Sequence, residues 1–301
     1  MEKIKIEYSS CALKDGNIAG IIEKARVVCG EYGFDFGVQI HNTAELEQIE
    51  ILSAMDVPLS FHAPVVTDYS INLAAEDFSV SRKALERTIE LMRRFAVQKA
   101  VFHGFFMTDI PMPAYGRGRS FEECAKVVYR PELVMENSTA CLDFFDTDEY
   151  RIRLSRVKER LAGMKEKYCD VKFLLENDSP CYVSGMMLPE FFYGIDFPVC
   201  FDTSHLWWTA FIYDRDFHEE AQKLLDTGLV EMVHIHASPF TREVPKEKWW
   251  DGHKNFSTPN EMNLKKLALK CVDKGISNFI FEFNDVSEKD IHLFAEMLER
   301  D

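Results

Sequence analysis

Eight short apolar runs recur along the chain: KIKIEYS (3–9), FGVQI (36–40), VPLSF (57–61), KAVFH (99–103), VKFLLE (171–176), PVCFD (198–202), EMVHIH (231–236) and NFIFEF (278–283). Each suits a strand buried on both faces, which is what a parallel sheet covered by helices requires. The segments between them carry helical periodicity. Leu85, Ile89, Met92 and Ala96 fall on one stripe, and Leu154, Val157, Leu161, Met164 and Tyr168 fall on another. Strand followed by helix, repeated about eight times, predicts an α/β fold of the (β/α)8 TIM-barrel type. An open doubly wound sheet would carry a Gly-rich phosphate loop after its first strand, and SSCALKDGN (9–17) is not one.

The 301 residues suit one such barrel, so a single domain over 1–301 is expected. One connection breaks the rhythm. From 105 to 150 the chain is long and turn-rich, and it leaves the C-terminal end of the fourth strand, the side on which barrels do chemistry. It reads as an insertion that is either an active-site lid or a subunit contact.

Composition changes the picture in three ways. A net charge of −15 argues against a general nucleic-acid binder, though not against a groove made locally cationic by metals. Eight scattered cysteines without a CxxC pair read as reduced thiols of a cytoplasmic protein. No apolar run approaches the roughly 18 residues of a membrane span, and MEKIKIEYSS lacks a signal-peptide core, so no membrane partner is expected.

The strand ends carry the candidate chemistry. The third strand ends at His62, the fourth at His103, the fifth at Glu176, and the sixth at Asp202 with His205 close behind. The seventh ends in His234-Ile235-His236 and the eighth in Glu282, and WWDGHKNF beyond the seventh adds Asp251 and His253. Singly, each has an ordinary structural explanation. Asp202 could cap a turn, Asp251-Gly252 is a common turn pair, and a lone histidine is more often hydrogen-bonded than ligating. A barrel, however, brings all strand ends onto one ring. Burying so many ionisable groups without partners costs roughly 2–7 kcal/mol each. Divalent metal supplies the partner, and a His/Asp/Glu set without Cys suits Zn²⁺ or Mn²⁺.

The ordered set His, His, Glu, Asp-x-x-His, His, Asp-x-His, Glu resembles the xylose isomerase-like TIM-barrel superfamily, which includes endonuclease IV and sugar-phosphate isomerases and epimerases. HAPVVTDYSINLA (62–74) is similar to that family's segment after the third strand. The resemblance implies up to three ions, with Zn²⁺ first and Mn²⁺ as the alternative. His62, His103 and Glu176 would hold one. Glu176, as a bridge, with Asp202, His236 and Glu282 would hold a second. His205, Asp251 and His253 would hold a third. In the seventh strand His234 and His236 point the same way, so one is expected at the rim, His236, with His234 beneath it. The DNA-facing features of endonuclease IV are changed: Val65-Val66 stands where its DNA-entering Tyr-Leu pair is, Gly104-Phe105 where Pro-Gly follows its second histidine, and Leu206-Trp207-Trp208 where small residues follow its DTCH.

Two mechanisms follow. In the first, the ions hydrolyse a phosphoester, an abasic-site phosphodiester or a small sugar phosphate, with Glu176 bridging and His205 on the leaving-oxygen side. In the alternative, a sugar or sugar-phosphate isomerase or epimerase, Glu176 and Glu282 act as an acid–base pair on one ion, and Trp207 and Trp208 offer apolar faces to a sugar ring. Glu176, Glu282 and His205 are thus the candidate catalytic residues. A catalytically idle scaffold gives no reason for a filled ring of ligands.

Overall fold

The computed structural model describes residues 3–13, 16–116, 118–181 and 183–300. All eight apolar runs become strands: β1 (Lys5–Ser9), β2 (Asp35–Ile40), β3 (Leu59–Ala63), β4 (Lys99–Phe102), β5 (Lys172–Glu176), β6 (Val199–Asp202), β7 (Val230–His234) and β8 (Asn278–Phe281). They pair in parallel and in chain order, and β8 closes onto β1 with Phe281 opposite Tyr8. The result is a closed (β/α)8 barrel.

Two apolar layers hold it. Facing inward, Val101, Leu174, Cys200, Met232 and Ile280 form a separate buried cluster, one residue from each of β4 to β8. Facing outward, the alternate strand residues pack on the helices. Phe279 and Phe281 meet Phe294 of the last helix, Glu288–Leu298, at ring distances of 4.8 and 5.4 Å. Burying each such ring stabilises the fold by roughly 1.5–3 kcal/mol. Both stripes form helices, Ser79–Arg94 and Asp148–Lys167, but the first stripe ends early. Ala96 lies past the helix in an exposed left-handed turn (φ 55°), where the chain reverses into β4. Arg153 is buried within the second helix.

Side chains alternate along a strand, so the inward set two residues above the apolar layer comes out at the C-terminal rim. From Val101 this gives His103, from Leu174 Glu176, from Cys200 Asp202, from Met232 His234 and from Ile280 Glu282. The site follows from this arithmetic. The 105–150 segment is not bare loop: it carries a short helix, Phe121–Val127, started by a Ser120–Glu123 capping box. No helix among the described residues is long and apolar enough to cross a membrane. No disulfide forms among the described residues.

Candidate metal centre

Asp202 ends β6 and also starts the helix Thr203–Ile212, so no loop separates strand from helix. Its Oδ1 accepts the His205 backbone N–H at 2.8 Å, the capping role that its position allowed. Its Oδ2 is used differently, lying 2.8 Å from His236 Nε2. One carboxylate thus serves both roles. Asn177 locks the pair of strand ends, donating to Asp202 O (3.0 Å) and accepting from Asp202 N (2.8 Å). The Asn177 carbonyl also accepts from His205 Nδ1 at 2.8 Å. Because a carbonyl cannot donate, Nδ1 keeps its hydrogen and Nε2 turns to the site.

The nine expected ligands all reach one cluster. Nε2 of His62 and of His103 approach the same oxygen, Glu176 Oε2, at 3.1 and 3.5 Å. Nε2 of His205 and of His253 approach another shared oxygen, Asp251 Oδ2, at 3.2 and 2.9 Å. Ser204 Oγ donates to the other Asp251 oxygen at 2.6 Å. Asp202, His236, His253 and Glu282 present ligand atoms all within 4.8 Å of one another, and so do Glu176, Asp202 and His205.

Strand seven differs from expectation. His234 is not merely beneath the site: its Nδ1 lies 2.8 Å from both Glu176 Oε1 and Glu282 Oε2, and it completes a buried set with His62. Pairing of β7 stops at His234, so His236 is free to turn toward Asp202 and both imidazoles enter the cluster. Three other residues escaped the sequence reading. Asp178, two positions beyond Glu176, hydrogen-bonds His103 Nδ1. His41 follows β2 and lies 3.8 Å from Glu282 Oε1. Tyr115, from the long insertion, bonds His41. A signal was available for the first two, since both continue their strands' inward parity. Trp208 lines the cavity over the cluster, with Trp250 rather than Trp207. Trp207 instead donates to Phe240 O (2.9 Å) and packs on Phe217.

Burial, the largest influence on Glu176, would raise its pKa, but the imidazoles of His234 and His103 outweigh it and hold the carboxyl well below its usual range. Glu282 is likewise held low against burial, by His234 and His62. On the other side, burial opposes but Asp202 and Asp251 raise His205, and Asp251 carries His253 up to about 9. His236 goes down, through burial. Carboxylates stay ionised here only because positive charge faces them.

A cation fits the donor set. Glu176 Oε1 and Oε2, Glu282 Oε2, His234 Nδ1 and His253 Nε2 are buried with no aligned hydrogen bond, although oppositely charged atoms lie within about 3 Å. Donors that crowd together without pointing at one another converge on a common centre, which is how ligands are arranged around an ion. The cluster floors a cavity of about 240 Å³. Phe106, Met112, Tyr115 and Phe121 of the insertion line its wall.

No family model matches the chain, and no curated protein sequence does. Solved structures do. A D-tagatose 3-epimerase-like protein is 18% identical with a TM-score of 0.59, covering 98% of this chain and 95% of that one. A 3-keto-D-glucoside 4-epimerase from E. coli is 16% identical with a TM-score of 0.58, covering 98% of each. Endonuclease IV from Thermus thermophilus is 16% identical with a TM-score of 0.50, covering 98% and 97%. At these identities the likeness establishes a shared (β/α)8 barrel fold and leaves the reaction to the site.

Proposed function

We propose that the protein is a divalent-metal-dependent enzyme that hydrolyses the phosphate ester of a small sugar-like molecule, with Zn²⁺ the first candidate metal. The observation that carries this reading is the shared Asp251 oxygen between His205 and His253, a second carboxylate centre beside Glu176, with His205 lying between the two at 4.0 Å from Glu176 Oε1. Proton transfer at carbon needs one ion. Stabilising both the attacking and the leaving oxygen of a phosphoester calls for separate ions on either side. His62, His103 and Glu176 would hold one ion; Asp202, His236 and Glu282, with Glu176 bridging and His234 alongside, a second; His205, Asp251 and His253 a third. Such ions supply hydroxide at neutral pH and neutralise charge on phosphoryl oxygens.

The chain's own groups orient this chemistry. Asp178 keeps a hydrogen on His103 Nδ1 and Asn177 keeps one on His205 Nδ1, so both rings present Nε2 to the site. Glu176, held ionised despite burial, is suited to bridge cations rather than to hold a proton, and the cavity volume suits a single sugar ring better than an abasic duplex.

A second reading, isomerisation or epimerisation, draws on the approach of Glu176 and Glu282 to one His234 nitrogen at 2.8 Å each, a pair of carboxylates set close enough to share one substrate. The epimerase names among the structural neighbours favour it too. Metal analysis of the purified protein, with assays on sugar phosphates, an abasic-site duplex and unphosphorylated ketoses, separates the two. More than one bound ion per chain with phosphate release supports hydrolysis. One ion per chain with ketose turnover and no phosphate release overturns it in favour of the second reading.

A further inference from the structure

Among the described residues of the insertion one polar side chain lines the cavity wall, and its surroundings determine where its hydrogen goes. Tyr115 Oη lies 2.8 Å from His41 Nε2. On the opposite side of that ring, Nδ1 receives the Thr43 backbone N–H at 3.4 Å and contacts Thr43 Oγ1 at 2.7 Å. A backbone N–H can only donate, so Nδ1 presents its lone pair and Nε2 carries the ring hydrogen. His41 therefore donates to Tyr115 Oη. Glu282 Oε1, at 3.8 Å from Nε2, is beyond hydrogen-bond reach and does not compete.

The phenol oxygen is thus an acceptor toward His41, and its own hydrogen is left over. Tyr115 Oη has no second partner among the described residues. Burial, then the charge of Glu282, push the phenol's pKa up, so the hydrogen stays on. The position is also fixed. Gly116, at φ +91°, lets the backbone pass so close to Thr43 that a Cβ there would lie 3.0 Å from its Cα, Cβ and Cγ2. Ser70 N–H donates to Met112 O at 2.9 Å and Ala114 N–H to Asp68 O at 3.0 Å, tying the same stretch to the loop after β3.

We propose that Tyr115 is a substrate-binding residue that donates its phenol hydrogen to a hydroxyl or phosphoryl oxygen, and that His41 is the positioning residue that aims it. This rests on the reading of the cavity as a site for a sugar-like phosphate. His41 also lines the cavity, so the proposal requires that its effect on binding run through Tyr115, and removing either should lose the same contact.

The test is calorimetric titration of the metal-loaded protein with inorganic phosphate and, separately, with xylitol, and metal content is measured for every variant. Tyr115→Phe is expected to weaken phosphate about tenfold with metal content unchanged, the scale of one hydrogen bond to a charged group. His41→Leu should match it, and the double variant should be no worse than either single one. His41→Gln, which keeps an N–H near the place of Nε2, should stay within about threefold of wild type. Equal phosphate affinity in wild type and Tyr115→Phe overturns the proposal and leaves the hydrolytic reading intact. If wild type ignores phosphate but binds xylitol, the hydrolytic reading falls, and Tyr115 stands or falls on the same tenfold loss measured with xylitol. Binding of neither probe overturns both.

Discussion

The two ends of the barrel interior each bury a glutamate, and they treat it in opposite ways. At the N-terminal end, Glu7 Oε1 receives Lys5 Nζ at 2.7 Å and Asn278 Nδ2 at 3.1 Å, and Oε2 receives Ser60 Oγ. The Asn278 amide oxygen is left over there, but it carries no charge. At the C-terminal end, Glu176 is just as buried, yet neither oxygen has an aligned hydrogen bond. Where charge is satisfied by the chain itself, it serves the fold. Where it is left open amid imidazoles, it is held ready for something that the chain does not contain. An inventory of buried acids would treat these two alike. Partner geometry separates them.

The sharpest way to break this comparison is to neutralise each glutamate in turn. Glu176→Gln is expected to abolish activity and release metal, and to destabilise the metal-free protein as well, because the imidazoles that hold its carboxyl low lose their counter-charge. Glu7→Gln is expected to retain metal and activity. It should destabilise folding by about 3 kcal/mol, as Lys5 loses its buried partner. Denaturant melts with and without chelator check both. Addition of metal to wild type should raise stability by about 4 kcal/mol at a thousandfold excess over Kd, and Glu176→Gln should show almost none of that gain. Equal metal stabilisation in the two variants would remove the distinction between the ends.

A smaller effect is expected where the insertion is anchored. Arg153, buried, grips Asp109 at 2.8 and 2.9 Å and Glu149 at 2.8 Å, and Arg130 ties Glu149 to Met107 O. The Arg153 hydrogen bonds hold Asp109 below its ordinary pKa, and those of Arg130 do the same for Glu149. The sign follows from linkage. A lowered carboxyl contributes stability in full above its unfolded pKa and loses it as pH falls through the lower folded value. Acidification from neutral to about pH 3 should therefore loosen the insertion, read as several-fold faster amide exchange across 105–116 than its intrinsic rate change explains. Unchanged protection there would show that apolar packing, not these ions, holds it.

The fold and most of the ring were legible in the sequence because both depend on strand parity. An apolar residue in the inner layer fixes what stands two positions on, and Leu174 to Glu176 or Ile280 to Glu282 reads off without coordinates. Parity does not say how many residues on one strand's inward face enter the site. His234 and His236 share a face, His236 was the one expected at the rim, and the entry of His234 beside it depends on local backbone geometry that no periodicity encodes. The same holds for Trp207 and Trp208, adjacent on one helix, of which one faces the cavity and the other packs on Phe217. Tyr115 was out of reach for another reason. Its place depends on Gly116 approaching Thr43, a contact between segments more than 70 residues apart.

The mildest expected effect lies within the open end itself, at Ser204. Its hydroxyl donates to Asp251 Oδ1, leaving Oδ2 to face His205 and His253. Ser204→Ala removes no candidate ligand, and the lost hydrogen bond should cost about 1 kcal/mol of stability. Asp251 would then be free to rotate, and a carboxylate that loses its outer partner typically weakens metal binding by about 10- to 100-fold. The loss should fall on one class of ion only, the one that His205→Ala, Asp251→Ala and His253→Ala each remove, and those three variants should not add to one another. Stepwise chelation followed by metal analysis would resolve it. If Ser204→Ala weakened every ion equally, Asp251 would belong to the same centre as Glu176. The two donor sets would then be one, and the case for hydrolysis over isomerisation would lose the observation that carries it.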